Sequence, residues 1–189
     1  MLGHHGIRRM VRLRHGSLLL FRLLRPIRTH SPIKTLGTIQ ECSIVELEDG
    51  SVTWTGHAYI DDDGSDNRHH DPCWQPQTSL HPDGGALDAE SVPYIVVPPL
   101  ILLGVAGVVL GCQAHCRNTI NGSECDAVVG DVGPHERIGE MSCECARRLG
   151  LSGDPNTGGT EQKSIEYVIF PGQPAICDGV QYSLQPFRT

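Results

Sequence analysis

The chain predicts a mainly β fold, a small barrel of short strands with one or two short helices and long loops. Three observations predict it. Residues 51–60 (SVTWTGHAYI) alternate polar and apolar side chains and include β-branched and aromatic types, the pattern of a strand with one buried face. The other apolar runs are short and bounded by glycine or proline. Only one stretch, 140–149, carries a helical order of charge.

Taken in order, the pattern becomes β-like from Ser43, and the strand at 51–60 runs directly into Asp61-Asp62-Asp63-Gly64-Ser65-Asp66, an acidic turn. Residues 67–85 read as loop, because Asp71-Pro72, Gln75-Pro76, His81-Pro82 and Gly84-Gly85 interrupt any regular structure. So long a loop in a compact domain is usually functional or disordered. Residues 94–97, between Pro93 and Pro98-Pro99, form a short apolar strand, and 107–112 and 127–131 read as two more, joined by a loop holding Asn121-Gly122. Residues 140–149 read as an amphipathic helix opened by Glu140, with Glu144 early, Arg147-Arg148 late and Gly150 as its stop. Residues 166–170 and 179–184 close the domain as strands. Many short strands with one clear helix favour a small barrel over a layered α/β fold. No internal repeat or low-complexity segment is visible.

A chain of 189 residues suffices for one domain with a real core, or one domain and a tail. Residues 1–34 contain eight of the fifteen basic residues and no acid, so the remainder carries a net charge of about −15. We divide the chain into a basic head, 1–34, expected to be unstructured, and a barrel domain, 35–189. Residues 16–24 (GSLLLFRLL) resemble the apolar part of a secretory signal, but Arg22 interrupts them and no small-x-small cleavage site follows. A basic tail or a segment translated from an upstream start accounts for the head equally well. Secretion is expected if it acts as a signal, and a cytoplasmic location otherwise. The head is too short and too charged to span a membrane. A body this acidic suits a cationic ligand and repels nucleic acid, although acidity also simply maintains solubility.

Eight cysteines invite a disulfide reading, but the chain has enough apolar residues for a core without one. Neither Cys112-x-x-x-Cys116 nor Cys143-x-Cys145 has zinc-ligand spacing, and on a helix Cys143 and Cys145 face apart. Buried thiols, one or two disulfides and a structural metal remain open, in that order of preference. His69-His70 beside Asp71 lack a second ligand pair at helical spacing, so no metal and no cofactor are expected. No Ser-His-Asp order and no phosphate-cradling glycine loop are present.

The most informative stretch is 127–150, AVVGDVGPHERIGEMSCECARRLG. Asp131 ends an apolar run, Gly133-Pro134 turns the chain, and Glu140 follows nine residues after Asp131. Paired carboxylates flanking a bond are the minimum equipment for glycoside hydrolysis. The same residues also serve a plainer purpose, Glu140 as a helix-opening acid and Asp131 as the end of a strand. Asp61, Asp62, Asp63 and Asp66 either line a cleft that holds ammonium groups, with Asp61 or Asp63 as an alternative base, or form a solvated turn. The run lacks the spacing and closing glutamate of an EF-hand. Trp74, in a polar loop, is a candidate for stacking on a sugar ring, whereas Tyr94 reads as core.

From about residue 43 onward the chain resembles the chitosanases of glycoside hydrolase family 75. The resemblance rests on Ile60-Asp61-Asp62-Asp63-Gly64, on residues 92–98 (VPYIVVP), on Gly130-Asp131, Gly133-Pro134 and Gly139-Glu140-Met141-Ser142, and on residues 167–172 (YVIFPG). It implies that the two essential carboxylates fall on Asp131 and Glu140. More distantly, Asp131-Val132-Gly133-Pro134, Arg137-Ile138-Gly139-Glu140-Met141-Ser142 and Ala146-Arg147-Arg148-Leu149-Gly150 look like the signature of double-psi β-barrels. That likeness implies a six-stranded double-psi-like barrel with Glu140 as proton donor.

The resulting expectation is a monomeric, inverting endo-glycosidase acting on chitosan or a related aminosugar polysaccharide. In it Glu140 is the general acid, Asp131 the general base, and Asp61, Asp63, Asp66 and Trp74 bind substrate. Two alternatives use the same barrel, a peptidoglycan-cleaving glycosidase and a non-catalytic polysaccharide-binding, expansin-like module.

Overall fold

The computed structural model describes residues 30–187. The signal-like stretch of the basic head lies outside the described residues. Strand β1 (Pro32–Ile39) turns through Gln40 and Glu41, both at positive φ, into β2 (Cys42–Leu47). Two consecutive left-handed residues match the twist of a tight antiparallel hairpin. Strand β1 thus begins at Pro32, three residues before the expected start of the domain at residue 35.

The next strand, β3 (Val52–Asp61), is the hub of the sheet. After it come β4 (Tyr94–Val97), α1 (Pro99–Gly104), β5 (Cys112–Asn118), β6 (Glu124–Val132), β7 (Glu140–Ser142), α2 (Cys143–Arg148) and β8 (Thr160–Pro174). Strands β3, β7, β4, β6, β5 and β8 neighbour one another in that order, and β8 returns to β3. This is a closed six-stranded barrel, with the β1–β2 hairpin attached to its side. Closure removes the unpaired edges that an open sheet of this size would expose. Two of the six pairings are parallel, β3 with β7 and β4 with β6. A two-residue pairing of β9 (Ile176–Cys177) with β10 (Val180–Gln181) follows.

The period-2 pattern fills the interior. Val52, Trp54 and Ala58 from β3, Ala114 and Cys116 from β5, Ala127 and Val129 from β6, and Ile165, Tyr167 and Ile169 from β8 are all buried. Trp54 stacks on Tyr167 with ring centres 4.8 Å apart and planes 8° apart. The Tyr167 hydroxyl donates to the His57 carbonyl at 2.7 Å and lies 3.1 Å from the Gly139 carbonyl, so one buried side chain ties β8 to β3 and to the residue that leads into β7. Seven of the eight cysteines are buried and Cys73 is exposed. Among the described residues, no helix is long and apolar enough to cross a membrane.

Three expectations need correction. Residues 107–111 are turn and loop apart from a single bridge of Leu110 to Gln185, and the strand expected there starts at Cys112, because Gly107 and Gly111 both adopt positive φ. Only Val180–Gln181 of the expected strand 179–184 is extended and paired. Glu140 does not open the helix. It lies on β7, which pairs with β3 in parallel and with β4 in antiparallel fashion, and the helix cap is Ser142, whose hydroxyl accepts from the Cys145 N–H. A serine just before the helix whose hydroxyl accepts the N–H three residues on is the ordinary helix cap.

Candidate functional site

Strand register decides which carboxylates meet. Val96 on β4 lies opposite Asp131 on β6 and opposite Glu140 on β7. The two acids therefore flank one strand, two strand spacings apart, or about 9.6 Å at the backbone. A β-bulge makes this possible. Ile95 pairs with Val129 and Val96 with Asp131, so Gly130 is the extra residue. Inserting one residue inverts the alternation of the strand and brings Asp131 onto the face of Val96. Only glycine fits there, since a β-carbon on Gly130 would come within 2.6 Å of Leu87 and 2.7 Å of Tyr94.

The long loop 67–85 completes the site. Its Leu80 N–H donates to the Gly130 carbonyl at 2.9 Å, which pins the loop to the bulge. Ser79 then donates to Asp131 Oδ1 from its backbone N–H at 2.9 Å and from its hydroxyl, and the Val132 N–H adds a bond of 2.7 Å. Farther up the loop, the Gln75 N–H donates to Asp63 Oδ1 at 2.6 Å. Neither Ser79 nor Gln75 is singled out by the sequence, because a serine and a glutamine in a polar loop carry no distinguishing pattern.

Oxygen atoms of Asp61, Asp63 and Asp131 lie within 4.8 Å of one another. Asp61 ends β3, and its Oδ1 accepts the Asp63 N–H at 2.9 Å. Burial, reinforced by the neighbouring charges of Asp63, Asp131 and Glu140, pushes the Asp61 carboxyl up to about 8. Burial and Asp131 likewise raise Asp63 to about 6, against the Gln75 hydrogen bond. Burial also raises Asp131, and its bonds from Ser79 and Val132 oppose the rise. Glu140, at the rim, accepts from Arg137 at 2.9 Å, and the Arg137 guanidinium stands 5.6 Å from the centre of the Tyr59 ring.

The structure thus gathers four of the sequence-selected residues, Asp61, Asp63, Asp131 and Glu140. Asp66 is not among them: it is exposed and paired with Arg68 at 2.9 Å, two residues along the same turn. Trp74 is half-buried, and its indole N–H is buried without a hydrogen-bond partner among the described residues. The Tyr94 ring is core, as expected, and its hydroxyl donates to the Asp63 carbonyl at 3.2 Å. A polar cleft lined by Asp63, Gln75, Gln77, Ser79 and Asp131 adjoins a second depression lined by Ser79, Leu110, Gln185 and Phe187. Gln185 joins the two, donating to the Ser79 carbonyl at 3.2 Å.

Comparison with protein-family models finds no match for the chain, and comparison with curated protein sequences finds none either.

Proposed function

We propose that the protein is an inverting endo-glycosidase that hydrolyses β-1,4 linkages of chitosan or a related glucosamine polymer. The observation that carries this reading is the shared register of Asp131 and Glu140 opposite Val96. Two strand spacings suit the carboxyl separation of about 6.5–9.5 Å that inversion needs to hold a water beside the sugar. In this reading Glu140 gives a proton to the leaving oxygen, and Asp131, oriented by Ser79, takes a proton from the attacking water. Asp61 and Asp63 sit beside Asp131, where an ammonium group on the sugar would replace the repulsion between acids with attraction.

The test is reducing-end release from highly deacetylated chitosan by the full chain, alongside Glu140→Gln and Asp131→Asn. Loss of general acid or base catalysis is expected to lower release at least about a hundredfold in each variant. Chitosan binding with no release from the parent chain would instead establish a non-catalytic binding module. Absence of both would exclude chitosan as the ligand.

A further inference from the structure

On the opposite side of Asp62 from the acidic cleft, three dissimilar donors converge. His69 Nε2 lies 2.8 Å from Glu90 Oε1, and one ligand atom from each of His69, Glu90 and Cys143 lies within 4.8 Å of the other two. They come from three parts of the chain: the long loop, the segment before β4, and the first residue of α2. The Glu144 N–H holds the last two together by donating to the Ala89 carbonyl at 3.0 Å.

A second observation concerns the charge beside them. Asp62 is fully buried next to the Asp71 side chain, and among the described residues its carboxylate oxygens have no donor at ordinary hydrogen-bond geometry. Its electrostatic neighbours include His69, Asp71 and Cys143. A buried carboxylate without a donor is costly unless a positive charge compensates it.

We propose that His69, Glu90 and Cys143 bind a zinc ion, or a divalent cation of similar softness, with the Asp62 carboxylate as adjoining countercharge. Imidazole nitrogen, carboxylate oxygen and thiolate sulfur form a mixed set suited to zinc. Tetrahedral ligands at normal zinc distances stand roughly 3.4 Å apart, so the ion enters by opening the His69–Glu90 contact slightly. The surroundings supply what orients such ligands. Asp154 Oδ2 lies 3.9 Å from the other imidazole nitrogen of His69, and Arg147 holds Glu90 Oε2 at 3.1 Å, leaving Oε1 toward the ion. Such an ion would clip the long loop to α2, on the loop that carries Ser79 and Gln75 to the acidic cleft.

The experiment is equilibrium dialysis of the full-length reduced protein against zinc, followed by elemental analysis, with cobalt(II) as a spectroscopic substitute. The variants are Cys143→Ser, His69→Gln and, as a thiol control, the exposed Cys73→Ser. One zinc per chain is expected in the parent and in Cys73→Ser, falling at least tenfold in affinity in the other two. Cobalt should give a thiolate charge-transfer band that Cys143→Ser abolishes. His69 is partly exposed, so its variant reports on binding even where Cys143→Ser folds poorly. A folded parent that retains no zinc, or zinc retained equally in both ligand variants, would overturn the site.

Discussion

The carboxylate of Glu140 occupies the space beside Gly133 where any other residue would carry a side chain: a β-carbon on Gly133 would stand 2.8 Å from Oε2. Gly133 follows Asp131 by two residues, so the turn that ends the strand of one acid sets the position of the other. Gly133→Ala would also press Val96 at 3.0 Å. We expect it to displace the Glu140 carboxylate by a few tenths of an ångström and lower kcat on chitosan about tenfold. KM should change little. The measurement is steady-state kinetics beside a thermal melt, which should show a folded protein.

Ser79→Ala removes the hydroxyl donor from Asp131 Oδ1 while leaving the backbone donors of Ser79 and Val132. A carboxylate with fewer donors holds its proton more tightly. The acidic limb of the pH–rate profile should therefore move to higher pH, with a stability loss of about 1–3 kcal/mol. An unchanged profile with an unchanged melt would show that Ser79 does not act through Asp131.

Asp61 makes stability depend on pH in an unusual direction. Its carboxyl titrates near 3.8 when free and near 8 in the fold. Between those values the native state binds more protons than the unfolded chain, so stability falls as pH rises. The penalty is absent below pH 3.8 and complete above about 8. Asp63, raised to about 6, steepens the lower part of the fall. In metal-free buffer we expect Tm to decline from about pH 5 to pH 8, and Asp61→Asn to regain roughly 5 °C at the upper end. Melts across the range, parent against variant, check the slope.

Tyr167→Phe removes a buried hydroxyl that braces His57 and Gly139, the residue before Glu140. The ring stacked on Trp54 remains, so the cost is that of the stranded carbonyl, about 1–3 kcal/mol. Denaturant unfolding should show a lower midpoint with an unchanged slope.

Elements built from local pattern were legible in the chain. Strands β3 and β4 coincide nearly residue for residue with the expected 51–60 and 94–97, because burial alternation and flanking prolines are local signals. Glu140 was misplaced on a helix because its three-residue strand derives from partners far away, Tyr59 and Val96. The Ser142 cap was the overlooked local clue. Asp131 was readable as a strand end, yet its inward turn depends on a bulge at Gly130 that no periodicity announces. Ser79 reaches Asp131 only through tertiary folding of the loop, and Glu90 and Cys143 join His69 the same way.

The barrel closes where Val52 meets Ile169 and Trp54 meets Tyr167, contacts between the first and last strands of the ring. Such long-range pairings are slow to form and cannot begin before most of the chain is synthesised. On the ribosome, Asp61, Asp131 and Glu140 therefore emerge in turn as separate acids on an incomplete sheet. Their mutual repulsion is imposed once β7 seats between β3 and β4, and β8 then holds the repelling acids in place by sealing the ring. A chain cut before β8 would carry every one of these carboxylates on four neighbouring strands and lack only the closure that restrains them.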